Sequence, residues 1–216
     1  MIWQDECYLL SKTNYNENST IINIFSLKHG NISGIVYGGS SRKLKKILQI
    51  GNKLFVVHKS KHENKIGYFS VELIKPISPI LFSNKKNISC YLSALSILRI
   101  LLPEGQANKK IYNDLENFIG NLQDNKCIFF YILWEQLLLK ELGFETKFNL
   151  DKFSINILGK NYKIPELFKN KDYNILSKLD IKNALILNRE LLMEHFIIPN
   201  KLRIPLNRNI LESYFN

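Results

Sequence analysis

The chain has 216 residues, of which 45% are hydrophobic and 23% are charged, and its formal net charge is +11. This composition excludes an intrinsically disordered protein, and the longest apolar run, 128–134, is shorter than the ~18–20 residues that cross a bilayer. Acidic residues near the start do not match a signal peptide, so we expect a cytoplasmic protein with no membrane partner.

The first part of the chain predicts a small closed β-barrel. Five short segments have the apolar and polar alternation of strands: 8–13, 20–26, 32–38, 53–59 and 68–74. Gly34 lies inside the third segment, where a glycine predicts a bulge or a tight bend. The commonest barrel of this size is the OB-fold, which often binds single strands. Because Pro76 and Pro79 end the strand pattern, we predict an OB-fold nucleic-acid-binding domain over residues 1–78.

Positive charge is concentrated around the end of the third strand and beyond it. Between residues 42 and 65 the only acidic residue is Glu63, and the basic residues are Arg42, Lys43, Lys45, Lys46, Lys53, Lys59, Lys61 and Lys65. A lysine-rich composition also arises from A/T-rich codons, but that bias would not concentrate charge in one segment. The distribution therefore predicts a surface for a polyanion. The predicted DNA-binding residues are Arg42, Lys43, Lys45, Lys46, Lys53, Lys59 and Tyr37.

Aromatic residues of the barrel are candidates for stacking on bases, as in other OB-folds that hold single strands. Tyr37, Tyr68 and Phe69 are the candidates. Strand alternation places Tyr68 and Phe69 on opposite faces, so at least one of them is expected in the core.

The remainder of the chain predicts a helical domain over residues 79–216, which makes the protein an α+β chain. Helical spacing covers 87–102, 108–120, 124–142 with Asp124 or Asn125 as cap, 180–198 with Asp180 as cap, and a short segment after Pro205. The third of these helices is apolar nearly all round, which predicts the centre of the helical core. Residues 148–161 indicate a hairpin.

No constellation in the sequence predicts catalysis, a cofactor or a metal site. Cys7, Cys90 and Cys127 are widely separated and form no Cys-x-x-Cys pair, so we expect buried free thiols. A phosphate-cradling glycine loop is missing from the sequence. The histidines are expected in unrelated settings without acidic partners: His29, His58, His62 and His195. The prediction is a protein that is not an enzyme.

With these elements placed, the chain resembles the bacterial recombination mediator family RecO over nearly its full length. In the barrel the resemblance rests on ENSTII at 17–22, KHG at 28–30, GGSSRK at 38–43 and Glu72. Beyond the barrel it rests on EQLLLKELGF at 135–144, RELLMEH at 189–195, Pro199 and Pro205. Each motif is weak alone, and their order and spacing together are specific.

The resemblance implies an N-terminal OB-fold, a helical C-terminal domain and binding of single- and double-stranded DNA in the bacterial cytosol, in association with the nucleoid. It also implies annealing of complementary strands, contact with the acidic tail of single-stranded-DNA-binding protein, and partnership with RecR. Many members carry a zinc-binding cysteine cluster after the Leu-Gly-Phe segment, which this chain lacks. Zinc is therefore not expected, and apolar packing around Phe148 and Phe153 is expected to replace it.

An acidic tail that ends in phenylalanine needs an apolar pocket with a positive rim. The helical region contains apolar positions and, close to them in sequence, the candidate tail-binding residues Arg99, Lys109 and Lys110. The apolar positions are Leu98, Leu102 and Ile111. For each of these residues taken singly, the sequence favours ordinary core packing with solvated lysines over a tail-binding role.

Two other functions remain open at this stage. The first is an RNA-binding OB-fold module, which the relative affinity for matched DNA and RNA strands would identify. The second is a protein-interaction adaptor whose basic charge is compositional, which would show no salt-sensitive binding to any oligonucleotide.

Overall fold

A computed structural model describes residues 1–60, 66–81, 84–146, 148, 153–170 and 177–215. Four residues discussed in the sequence analysis lie outside these ranges. They are Lys61, Glu63 and Lys65 of the basic segment and the histidine His62. Contacts divide the chain into two compact units, of which the first is Met1–Ile88 with Leu95–Tyr112 and the second is Ser89–Ala94 with Asn113–Asn216. A domain boundary at residue 78 stays a prediction.

The first unit contains the predicted five-stranded closed barrel, with strand order β1-β2-β3-β5-β4. Its strands are β1 Ile2–Asn16, β2 Ser19–Ser26, β3 Gly30–Tyr37, β4 Lys53–Lys59 and β5 Gly67–Lys75. All neighbouring strands are antiparallel except β3 and β5, which close the barrel as a parallel pair. Strand β1 is far longer than predicted, because its first half pairs with β4 and its second half with β2.

A six-residue helix, α1 (Arg42–Ile47), closes one end of the barrel where the sequence predicted only a basic loop. The Ser41 hydroxyl caps it by accepting a hydrogen bond from the Leu44 amide at 3.3 Å. Leu44 and Ile47, one turn apart, pack against the barrel core. That core consists of Cys7, Leu9, Ile22, Ile24, Val36, Leu48, Leu54, Val56 and Phe69.

Of the two features predicted at Gly34, the bulge is wrong, because β2 and β3 pair without a register shift through that residue, and the tight bend stays a prediction. Gly34 pairs with Gly67 across the closing strands. A Cβ atom on Gly34 would lie 2.3 Å from Cε2 of Phe69, and one on Gly67 would lie 1.9 Å from Nε2 of His58. Both glycines are therefore required so that two rings can approach the backbone closely.

The rest of the chain is mainly helical, as predicted. Its helices are α2 Lys85–Leu101, α3 Lys109–Gly120, α4 Cys127–Glu141, α5 Glu166–Asn170, α6 Lys178–Leu192 and α7 Leu206–Ser213. Helix α6 continues as a single π-helical turn, Met193–Ile197, which the sequence did not reveal. The cap of α6 is Ser177 and not Asp180, since the Ser177 hydroxyl accepts from the Asp180 amide at 3.0 Å.

The predicted hairpin is shorter than expected and consists of β6 Ser154–Ile157 and β7 Lys160–Lys163. Phe148 lies outside the hairpin and stacks on Phe168, with ring centroids 4.8 Å apart and planes at 7°. The expectation that Phe153 packs in an apolar cluster is wrong. Its side chain is 77% exposed and contacts the ammonium group of Lys169.

The second unit is organised around α4, as its all-round apolar sequence predicted. Glu135 is buried in this helix, where its carboxylate accepts from Nε of Arg208 at 2.7 Å and from the hydroxyl of Tyr131 at 2.5 Å. Burial, reinforced by the Glu135 charge, raises the pKa of Tyr131 well above its ordinary value, so the phenol remains a neutral donor. The pair is buried and fully hydrogen-bonded, which is the condition under which a buried ion pair is tolerated.

All three cysteines are buried and free, as predicted. Among the residues with assigned positions, no helix is long and apolar enough to cross a membrane.

Replacing Gly34 with alanine is expected to destabilise the protein by about 1–3 kcal/mol, because the added methyl group overlaps the buried Phe69 ring. Urea unfolding of the full chain measures the change. The matched control is Gly120→Ala in α3, where a Cβ atom meets nothing within 4 Å. Equal stability of the two variants would contradict the role assigned to Gly34.

Candidate nucleic-acid interface

The outward face of α1 carries four exposed cations: Arg42, Lys43, Lys45 and Lys46. They share a helix with Leu44 and Ile47, whose side chains pack inward. This spacing separates an apolar face from a charged face within less than two helical turns. None of the four cations forms an ion pair with a carboxylate in the part of the chain that the structure describes. Their charge is therefore available to an external anion.

Two exposed tyrosines lie side by side on the barrel surface. Tyr37 ends β3 and is 63% exposed, and Tyr68 begins β5 and is 40% exposed. Their ring centroids are 4.9 Å apart and their planes differ by 16°. A side-chain hydrogen bond between them raises the pKa of Tyr37. The two rings stack because the parallel pairing of β3 and β5 brings Ile35 opposite Tyr68.

Tyr15 belongs to the same surface and was missed by the sequence analysis. It is 59% exposed, and its proximity contributes to the raised pKa of Tyr37. Tyr15 lies beyond the predicted end of β1, at a register shift between Asn14 and Asn16. The prediction that at least one of Tyr68 and Phe69 lies in the core is confirmed, because Phe69 is buried in the barrel.

The structure separates the two lysines of β4. Lys59 is exposed and lies opposite Tyr68 in the β4–β5 register, so it borders the tyrosine surface. Lys53 lies at the other end of the strand, where its Nζ is 2.9 Å from the carboxylate of Glu6. Its side chain is only 18% exposed. Lys53 is therefore already paired with a carboxylate, and it lies at the opposite end of β4 from Lys59.

The apolar residues near the predicted tail-binding positions do not form an open pocket. Leu98, Leu102 and Ile111 are buried in the core. Arg99 and Lys109 are exposed, as is Lys110. These three exposed cations therefore offer charge beside apolar residues that are themselves buried, and their assignment to a partner tail stays a prediction.

The second unit contains an apolar cavity that sequence reasoning did not find. Its volume is about 280 Å³, and Lys140 is one of the residues that line it. The other lining residues are Leu133, Gln136, Leu137, Glu145, Thr146, Phe148 and Phe168. The Lys140 ammonium group donates to the Glu145 carboxylate at 2.7 Å, which raises the pKa of Lys140.

Two of the histidines are not in unrelated settings, contrary to the prediction. His29 and His58 both stack on Trp3, with ring centroids 3.9 Å and 4.7 Å from the indole. Burial lowers the pKa of His58, and the neighbouring His29 adds to the effect. Across the described ranges, no group of three or more His, Cys, Asp or Glu side chains is arranged to hold a metal ion.

Comparisons with known proteins agree on one family. The model for "Recombination protein O N terminal" matches residues 1–77, and the model for "Recombination protein O C terminal" matches residues 84–167. The chain is 30% identical over 174 residues to the "DNA repair protein RecO" of Rickettsia felis, covering 80% of this chain and 72% of that protein.

Other curated relatives carry the same name. The chain is 30% identical over 145 residues to the protein of Roseobacter denitrificans and 32% identical over 148 residues to that of Rickettsia africae. The first match covers 67% of this chain and 60% of the relative, and the second covers 68% and 61%. The chain thus spans about three fifths of the length of these relatives.

Proposed function

The chain belongs to the RecO family of recombination proteins, and from this premise we propose that it is a DNA repair and recombination mediator. It binds single- and double-stranded DNA, anneals complementary strands coated by single-stranded-DNA-binding protein, and helps RecR to load the recombinase. It acts in the cytosol, in association with the nucleoid, and it acts by binding rather than by catalysis. The names of its relatives and the resemblance of its motifs support this proposal.

The observation that carries the proposal is the charged face of α1. Its four cations, Arg42, Lys43, Lys45 and Lys46, point away from a helix that Leu44 and Ile47 anchor to the barrel. Each cation that meets a phosphate releases condensed counterions, which gives affinity without sequence preference. A mediator needs this property because it must act wherever a strand is exposed.

The tyrosine surface supports a preference for single strands. Stacking on Tyr37 and Tyr68 requires bases that are not paired in a duplex, whereas the cations of α1 can contact the phosphates of either form. Lys59 borders these tyrosines and adds a phosphate contact on the same face. Lys53 contributes less, because Glu6 already compensates its charge.

The proposal predicts that alanine at Arg42, Lys43, Lys45 and Lys46 weakens DNA binding and flattens its dependence on salt. Loss of four phosphate contacts lowers the slope of log K against log salt by up to ~3–4 units. Fluorescence anisotropy titrations of single- and double-stranded oligonucleotides at several salt concentrations measure the slope.

The matched control for this experiment replaces one arginine and three lysines that are exposed elsewhere: Lys160, Lys163, Lys178 and Arg203. It makes the same change in net charge, and we expect it to keep the wild-type slope. Equal slopes for both quadruple variants would place the DNA site elsewhere. Tighter binding of RNA than of the matched DNA strand would favour an RNA-binding module instead.

A double variant, Tyr37→Ala with Tyr68→Ala, is expected to weaken binding of single strands by about 1–3 kcal/mol per stacked base. Binding of duplex DNA should not change, because its bases cannot reach the rings. The control is Tyr37→Phe with Tyr68→Phe, which keeps both aromatic faces and removes only the hydroxyl groups. An equal loss for single strands and duplex would refute stacking.

We further propose that Arg99, Lys109 and Lys110 contact the acidic tail of the single-stranded-DNA-binding protein. Since their apolar neighbours are buried, they would act through charge, and binding should weaken with salt. Calorimetric titration of the full chain with the tail peptide is expected to show at least tenfold weaker binding in the triple alanine variant (about 1.4 kcal/mol). Unchanged affinity in that variant, with a loss in Leu137→Ala, would assign the tail to the cavity of the second unit.

A further inference from the structure

The barrel has a pocket at the end opposite α1. Leu44 and Ile47 of α1 pack against one end of the core, whereas Trp3, Ile32 and His58 line a cavity of about 520 Å³ near the other. The mouth of a β-barrel is a common place for a ligand site, and this volume lies in the usual range for small-molecule pockets. Neither the charged face of α1 nor the tyrosine surface uses this cavity.

A three-ring stack forms one wall of the pocket. His29 and His58 both stack on Trp3, with planes inclined by 21° and 24° to the indole. The far side of His58 is occupied, because its ring lies against Phe69 and over the space that a Cβ atom on Gly67 would fill. A flat ligand can therefore extend the stack only on His29, which is half-exposed.

The pocket contains a group that can donate a hydrogen bond and a buried ring nitrogen that has no partner. The Ser33 hydroxyl, which lines the pocket, accepts from the Asn23 amide at 3.1 Å, so its own proton can be donated. His58 is 8% exposed, and its Nδ1 has no hydrogen-bond partner among the described residues. This nitrogen is a polar atom of the pocket wall that the described residues leave unsatisfied.

Glu104 supplies a carboxylate at the rim of the same pocket. The backbone near Glu104 is held in place, because Leu102 and Gly105 are both hydrogen-bonded to Asn31 of β3. The Asn31 side chain donates to the carbonyl of Leu102 at 2.9 Å, and the Gly105 amide donates to the carbonyl of Asn31 at 2.9 Å. A carboxylate held there accepts hydrogen bonds from an amino group of a ligand.

We infer that this pocket binds a single unstacked nucleobase that carries an exocyclic amino group, which means adenine, cytosine or guanine. The base stacks on His29, receives a hydrogen bond from Ser33 and donates its amino group to Glu104. Enzymes that flip bases read them in the same way, by stacking and by hydrogen bonds to the exposed edge. This inference rests on the proposed DNA-binding function and adds to it a site for one base, or for a free nucleotide.

The chain carries its own probe for this pocket. It has two tryptophans, and Trp134 is buried in the second unit, so Trp134→Phe leaves Trp3 as the only indole. The variant is titrated with deoxyadenylate, deoxycytidylate, deoxyguanylate and thymidylate while its fluorescence is recorded. We expect saturable changes for the three amino-bearing nucleotides with a Kd of about 1 mM or lower, and at least fivefold weaker binding of thymidylate.

Variants of the pocket test the assignment of each group. Ser33→Ala should weaken the binding of all nucleotides at least threefold, and Glu104→Gln should remove most of the discrimination against thymidylate. Ser70→Ala, an exposed serine on β5, is the matched control and should have no effect. If Trp134→Phe does not fold, the difference in emission between the wild type and Trp3→Phe gives the same signal.

The absence of a saturable Trp3 signal with every mononucleotide and also with oligonucleotides would overturn the inference, and so would equal binding of thymidylate or an unchanged affinity in Ser33→Ala. Oligonucleotide binding is measured by anisotropy on the same samples. Intact oligonucleotide binding with no response of Trp3 refutes the pocket alone. If the folded wild-type protein shows neither a Trp3 response nor binding of oligonucleotides, the proposed function is refuted as well. A response to oligonucleotides but not to mononucleotides would show that the base must come from a strand, and would leave the pocket assignment standing.

Discussion

The closure of the barrel between β3 and β5 is the constraint on which the rest of the first unit depends. It is the one parallel pair of the barrel, and it brings Gly34 beside Gly67. The rings of Phe69 and His58 occupy the space that side chains at these two positions would fill. Closure and core packing are therefore a single event, because the strands can meet only if the glycines leave room for the rings.

The same closure contributes to both barrel surfaces on which the two proposals rest. Outside the barrel, it places Tyr37 and Tyr68 in a stack, since strand alternation directs Tyr68 outward and Phe69 inward. Inside the barrel, Gly67 at this closure leaves the space that the His58 ring occupies, and the β1–β4 pairing brings the same ring against Trp3. Helix α1 adds charge at the other end, where the partly buried side chains of Leu44 and Ile47 attach four mutually repelling cations to the barrel core.

Local sequence patterns predicted most of the strands and helices. They did not predict which residues distant in sequence come into contact. Period-two alternation located five strands, and apolar spacing with prolines and glycines located the helices, because these signals depend on neighbouring residues alone. The predicted caps were wrong, since α6 is capped by Ser177 and α4 begins after Lys126. The convergence of His29 and His58 on Trp3 could not be predicted, since it follows from the pairing of β1 with β4 across the closed barrel. Gly34 was misread for the same reason, because its partner, Phe69, lies far away in sequence.

Strand annealing tests the central claim most directly, which is that the charged face of α1 allows this protein to act as a mediator. Two complementary oligonucleotides are coated with the cognate single-stranded-DNA-binding protein, and duplex formation is followed with a pair of fluorophores. We expect the wild-type chain and the matched surface-charge control to accelerate annealing, and the variant without the four cations of α1 to lose most of that acceleration. The account is contradicted if the wild type does not accelerate annealing, or if both charge variants accelerate it equally.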